Sequence, residues 1–178
     1  MSKQFPDRKR IRLKDYDYTK PGYYFITINT NQNIQNVSKV INGKIELNES
    51  GKIIDMVWND LPKHYLNCKL DEYIIMPNHI HGIIKLITGR EGVITIPDKK
   101  IKTSKTNHGL PEIIRGFKTF SSKKINKDIK PITKFRWQKS YYDRIIRNER
   151  ELDNVRRYIS NNPVNWENDQ NKMGDVDF

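Results

Sequence analysis

Residues 67–87 constrain the fold of this chain more than any other stretch. Two runs rich in β-branched and aromatic residues, 67–76 and 78–87, meet at Pro77-Asn78, and so tight a connection folds them back on each other as an antiparallel pair. The second run opens with His79-Ile80-His81-Gly82, which holds two of the chain's four histidines. Strand side chains alternate faces, so His79 and His81 share one face and Ile80 takes the other. Two imidazoles about one pleat repeat apart can hold a metal ion between them. Half-buried sheet histidines can also be satisfied by ordinary hydrogen bonds, and for the pair taken alone this is the commoner outcome.

The remaining elements fall into order around this pair. Thr19-Lys20-Pro21-Gly22 marks a turn ahead of a strand at Tyr23–Thr30. Residues 37–47 predict a small hairpin ribbon turning at Asn42-Gly43. Asn48 or Ser50 can cap a helix over about residues 50–65, in which Ile53, Ile54, Val57, Trp58 and Leu61 follow helical spacing and Pro62 cuts into the last turn. A polar, Lys-rich loop at 88–108 is of a length associated with function or disorder. A helix at 110–126 follows, with Leu110, Ile113, Ile114, Phe117, Phe120 and Ile125 on one stripe. Phe135–Gln138 and Tyr141–Ile146 predict a last strand with a bend. A final helix covers about residues 149–161 and ends ahead of Pro163, because the residue before a proline avoids helical geometry.

Strand, helix, strand, strand, helix, strand is the order of a split βαβ unit. The expected class is therefore α+β: a ferredoxin-like sandwich with an antiparallel sheet and helices on one face, here with an additional C-terminal helix. Its boundaries read as a basic N-terminal arm at 1–20, one domain at 21–166 and a polar, acidic tail at 167–178.

Charge bounds the partners. Lys and Arg number 33 against 21 Asp and Glu, a formal net charge of +12, which favours a polyanion because neutralising phosphates releases counterions. The cations cluster. Arg8, Lys9, Arg10, Arg12 and Lys14 lie in the arm, Lys99, Lys100, Lys102 and Lys105 in the central loop, and Arg144, Arg147, Arg150, Arg156 and Arg157 towards the C-terminus. The first two groups are candidates for phosphate contacts, which position a nucleic acid without reading it. Phe5, Tyr16, Tyr18 and Trp137 could stack on unpaired bases, although Trp137 suits a core. A single cysteine, Cys68, excludes a disulfide framework and a multi-cysteine zinc site, and reads as a buried small residue. The first residues carry no apolar stretch and no run is long enough to span a bilayer, so a cytoplasmic, nucleoid-associated protein without a membrane partner is expected.

The last predicted helix offers a second candidate. Leu152, Val155 and Ile159 mark its buried stripe, Tyr158 lies at the edge of that stripe, and Asn162 is one turn on along the same face. A phenol and an amide oxygen so placed can address a common metal or phosphate. By spacing alone an amphipathic core tyrosine and an Asn helix cap are the better account.

Several blocks together resemble the REP-associated tyrosine transposases, relatives of the small single-tyrosine transposases and members of the HUH nuclease class. These are Arg10–Leu13 with Tyr16-Asp17-Tyr18 and Pro21–Phe25, then Met76–Gly82, Ile114–Lys118, Trp137-Gln138 with Tyr142-Asp143, and Arg157–Pro163. They occur in the family's order across most of residues 8–166. The resemblance implies His79 and His81 as metal ligands, Tyr158 as nucleophile and Asn162 as a third ligand, where related transposases often place Gln. Tyr141 and Tyr142 are rival nucleophiles by composition, but the match puts them in a strand block.

The implied activity is cleavage and transfer of single-stranded DNA through a 5′-phosphotyrosine, beside imperfect hairpins of repeated palindromes. A tyrosine hydroxyl can form a stable ester but has a pKa of about 10, so a divalent cation that neutralises developing charge suits it. Mixed imidazole and oxygen ligands suit Mn²⁺, and abundance favours Mg²⁺. A hairpin-binding regulator without cleavage is the alternative, and either a monomer or a homodimer is compatible. No paired carboxylates or Cys/His dyad suggest another catalytic centre.

Overall fold

The computed structural model describes residue 13 and residues 15–31, 37–88 and 107–168. In chain order its elements are β1 (Gly22–Asn29), β2 (Ser38–Ile41), β3 (Lys44–Leu47), α1 (Glu49–Asn59), α2 (Leu61–His64), β4 (Cys68–Ile75), β5 (His79–Leu86), α3 (Leu110–Asp128), β6 (Tyr142–Ile146) and α4 (Glu149–Asn168). The aromatic and β-branched composition of β1 suits a strand enclosed on both faces. It lies inside an antiparallel sheet of order β4-β5-β1-β6, with β2 and β3 forming a separate hairpin. This is the ferredoxin-like arrangement expected from the element order.

Alternation along the strands sorts the core into two halves. Tyr24, Ile26 and Ile28 of β1 and Ile80, Ile84 and Leu86 of β5 pack against α1 and α3 through Ile54, Trp58, Ile113, Ile114 and Phe117. On the opposite face Phe25, Ile83 and Ile146 meet Leu152, Val155 and Ile159 of α4. The additional helix therefore closes the second side of the sheet. Residue parity fixes the consequence for the histidines: odd positions of β5 face α4.

Local signals explain several element ends. Asn48 caps α1, its side-chain oxygen accepting from the Gly51 amide at 3.0 Å. Asn42 and Gly43 adopt positive φ of 51° and 69°, as a two-residue hairpin turn requires. Pro62 falls in the first turn of the short α2, where its missing N–H costs nothing, so the single helix expected over 50–65 is two helices broken at Asp60.

Strand β4 departs from regular alternation. Leu70 pairs with Ile84 but Tyr73 pairs with Gly82, so Asp71 and Glu72 sit in a bulge. Leu70 and Tyr73 can then both face the α1–α3 core although they are an odd number of positions apart. Asp71 turns instead to α4, where Arg156 grips its carboxylate with two bonds of 2.8 and 2.7 Å. That guanidinium holds the Asp71 carboxyl below its ordinary range.

The last strand is interrupted, as its pattern suggested. Trp137 bridges Thr30, and Gln138 donates its amide to Asn29 at 2.8 Å, continuing the β6 side of the sheet. Tyr142 pairs with Thr27, so the chain takes four steps where β1 takes two, and Lys139 and Ser140 loop out. The Lys118 ammonium closes the loop by donating to the carbonyls of Gln138 (2.6 Å), Lys139 (3.2 Å) and Ser140 (3.4 Å). Trp137 is a core residue whose indole N–H donates to Ser121 Oγ at 2.9 Å. Tyr16 and Tyr18 pack edge-on to each other and against Tyr24.

The expected stop before Pro163 is overturned, since α4 continues to Asn168 with that proline inside. Proline removes one helical hydrogen bond, and tertiary contact compensates. Pro163 is buried, Val164 lies against Gly43, and this end of the helix packs on the β2–β3 hairpin. Among the described residues no helix is long and apolar enough to cross a membrane.

Gly82 gives a test of the packing beneath the histidines. A Cβ there would stand 2.6 and 2.9 Å from two ring atoms of buried Trp58. Gly82→Ala is expected to cost about 1–3 kcal/mol through overpacking, which thermal denaturation would register as a drop of several degrees.

Candidate active site

The site grows from the strand parity just described. His81 is 3% exposed, the mostly buried His79 lies beside it on the α4 face, and their Nε2 atoms are 3.0 Å apart. Each ring is held through its other nitrogen. His79 Nδ1 donates to Asn78 Oδ1 at 2.6 Å, and His81 Nδ1 shares a hydrogen bond of 2.8 Å with the Thr27 hydroxyl. The first bond assigns the His79 proton to Nδ1 and leaves its Nε2 lone pair facing His81.

Helix α4 supplies the other wall. Asn148 caps it through the Glu151 amide at 2.9 Å, and Leu152, Val155 and Ile159 bury its apolar stripe. That seating brings the Tyr158 hydroxyl to 3.3 Å from His81 Nε2. Phe25 backs both groups, its ring stacked on His81 at 5.4 Å and edge-on to Tyr158 at 6.1 Å. Asn162, 8% exposed, follows one turn later and hydrogen-bonds the phenol. Trp166, one further turn along, lies 5.8 Å from the His79 ring. Tyr158, Asn162 and Trp166 thus form a single helical stripe running past His81 towards His79.

Burial governs the protonation states. It pushes His79 down to about 4, and it pushes His81 well below the usual range with help from its neighbour's charge. Both imidazoles are neutral at physiological pH, the form that ligates a metal. Burial raises the Tyr158 phenol above its ordinary value, and the bond with Asn162 pulls the other way. The phenol is therefore protonated near neutrality and needs positive charge nearby to become a nucleophile.

A cation fits the donor set. Metal–nitrogen bonds of about 2.1 Å set at right angles put the two nitrogens roughly 3 Å apart, which is the observed separation of the imidazoles. Among the described residues no third His, Cys, Asp or Glu joins them. Further ligands would be oxygens from Asn162, the phenol, water or a phosphate.

Comparisons with known proteins bear on this constellation. A family model described as transposase, IS200-like, matches residues 100–162, a span that includes Tyr158 and Asn162 and begins after the histidines. An uncharacterised protein of Haemophilus influenzae is 35% identical over 169 residues, covering 92% of each chain. The chain belongs to the IS200-like transposase family. Its fold is that of a solved REP-associated tyrosine transposase bound to a REP hairpin, with a TM-score of 0.58 over 86% of this chain and 73% of that one at 16% identity.

Of the residues singled out in this transposase from sequence, His79, His81, Tyr158 and Asn162 come together at one place. Tyr141 is buried among the α1–α3 core residues, whereas Tyr142 is 57% exposed on the α4 side of the sheet. Arg8, Lys9, Arg10, Arg12, Lys14, Lys99, Lys100, Lys102 and Lys105 lie outside the described residues, as does Phe5. Among the C-terminal cations, Arg144 pairs with Glu151 at 2.7 Å and Arg156 with Asp71. The sequence reading missed Thr27, Asn78, Phe25 and Trp166. Trp166 carried a usable signal in its spacing of two helical turns from Tyr158, and Asn78 in standing next to His79; Thr27 and Phe25 reach the site through strand pairing.

The buried imidazoles make stability pH-dependent. Their folded pKa values lie below the unfolded value of about 6.5, so below that pH the unfolded chain takes up protons that the folded chain refuses. Stability is full above pH ~6.5 and falls with acidification by up to about 1.4 kcal/mol per pH unit per histidine, until the folded groups titrate, near 4 for His79. Thermal denaturation across this range should show a steeper acid loss for the native chain than for His79→Gln or His81→Gln.

Proposed function

We propose that this transposase cleaves and transfers single-stranded DNA beside a hairpin, with Tyr158 as nucleophile and a divalent cation held by His79, His81 and Asn162. The approach of the Tyr158 hydroxyl to 3.3 Å from His81 Nε2, with the second imidazole 3.0 Å beyond, carries the reading. The hairpin is supported by the partner of the fold neighbour and by the chain's net charge of +12.

Tyr158 attacks the phosphorus of the scissile phosphodiester. Its oxygen forms a new ester as the bond to the 3′ oxygen breaks, leaving a 5′-phosphotyrosine and a free 3′-hydroxyl. The phenol gives up its proton in the step and the departing 3′ oxygen gains one. A later 3′-hydroxyl reverses the chemistry and joins strands. Bound between the imidazoles, Mg²⁺ or Mn²⁺ would neutralise charge on the phosphate and favour the phenolate. Phe25 keeps water from one side of the phenol, and Asn162 holds its oxygen towards the histidines. Thr27 and Asn78 fix ring orientation, so that both Nε2 atoms are presented together.

Incubation with a labelled hairpin bearing single-stranded flanks and Mg²⁺ or Mn²⁺ should produce a covalent protein–DNA adduct. The adduct should vanish in Tyr158→Phe and on chelation by EDTA. An adduct that survives Tyr158→Phe would discard the assignment. Thermal denaturation with and without Mn²⁺ provides a second readout. The metal should raise the melting temperature of the native chain but not of a His79→Ala/His81→Ala double variant. Thr27→Val and Asn78→Ala should weaken metal affinity about 10–100-fold while leaving the ligands in place.

A further inference from the structure

The register continues the histidine face into two polar rows. His81 lies opposite Thr27, and Thr27 lies opposite Tyr142 on its other side. His79 lies opposite Asn29, and the backbone bonds flanking the Thr30–Trp137 bridge set Gln138 opposite Asn29. The α4-facing side of β1 and its β6 neighbour thus presents Thr27, Asn29, Gln138 and Tyr142 in line with the two imidazoles. Helix α4 covers Phe25, Ile83 and Ile146 of this face and also packs over β4 and the β2–β3 hairpin. Thr27, Asn29 and Gln138 are partly buried and Tyr142 is 57% exposed.

We infer that this floor seats the unpaired nucleotide next to the scissile phosphate, with Tyr142 as its stacking platform and the Gln138 and Asn29 amides as its base-edge contacts. The assignment rests on the single-strand cleavage reading above. Three observations favour single-stranded DNA as the occupant. The floor is continuous with the histidine pair, two strands or roughly 10 Å from it. It combines an exposed aromatic face with side-chain amides, which offer donor and acceptor together, the pairing that reads unpaired bases. Arg136 and Lys139 are exposed beside Gln138, positioned for the backbone phosphates. The Lys118 ammonium matters here as a positioning group, because its three carbonyl bonds set the loop that connects Gln138 to Tyr142.

The test uses the full chain carrying Tyr158→Phe, so that binding is read apart from cleavage. The probes are a fluorescein-labelled hairpin with randomised single-stranded flanks and the same hairpin without flanks, compared by anisotropy at physiological salt. The flanked probe should bind more tightly. Adding Tyr142→Ala should weaken it about tenfold, and Tyr142→Phe should restore affinity to within about twofold. With defined flanks, an abasic site next to the cleavage position should cost about tenfold, and Gln138→Ala should abolish that sensitivity. Equal binding of both probes, equal loss on both probes, or flanked-probe affinity indifferent to Tyr142→Ala and Gln138→Ala would each overturn the assignment. Failure of the cleavage reading is seen separately, as absence of a Tyr158 adduct in the native chain.

Discussion

Everything at this site depends on how α4 lies across the sheet. Its apolar stripe of Leu152, Val155 and Ile159 fills the space over Phe25, Ile83 and Ile146, and burial of those side chains is the main attraction between helix and sheet. Burial by itself is indifferent to small slides along the groove. The two-pronged bond from Arg156 to Asp71 adds direction, and the bulge in β4 is what aims Asp71 at the helix. At the far end, Pro163 is buried and Val164 meets the hairpin at Gly43. With three points of attachment in sequence, Tyr158 faces His81 and Trp166 faces His79.

The electrostatics follow from that seating. Closing the second face of the sheet removes the histidines and the phenol from water, and desolvation moves each towards its neutral form. Neutral imidazoles are good ligands, and a neutral phenol is a poor nucleophile. On the proposed reading, one arrangement would therefore prepare a cation site and make the tyrosine depend on it. The polar ring contacts from Thr27 and Asn78 follow the same logic, since a buried imidazole keeps both nitrogens satisfied only if its neighbours are placed for it.

Much of the fold was legible because its signals are local. The Pro77-Asn78 connection, the Asn42-Gly43 turn and the periodicities of α1, α3 and α4 place the elements to within a few residues. The misses fall where tertiary contact overrides a local rule. Pro163 should end a helix in isolation, and α4 passes through it because the segment beyond finds the β2–β3 hairpin. Pro62 was legible as a breaker but not as the start of a new helix. The bulge at Asp71-Glu72 has no sequence mark of its own; it exists because Leu70 and Tyr73 both belong to the α1–α3 core.

The sequence by itself determined that His79 and His81 share a face and that Tyr158 and Asn162 share another, since both statements follow from the periods of strand and helix. It determined the element order and with it the class of sheet. Tertiary structure alone decided that these two faces look at each other, that Thr27 orients the His81 ring, and that Asn29, Gln138 and Tyr142 extend the floor. The physical reason is that side-chain direction within an element is local geometry, whereas the meeting of elements is set by burial and strand register between residues far apart in sequence, as Thr27 is from Tyr142.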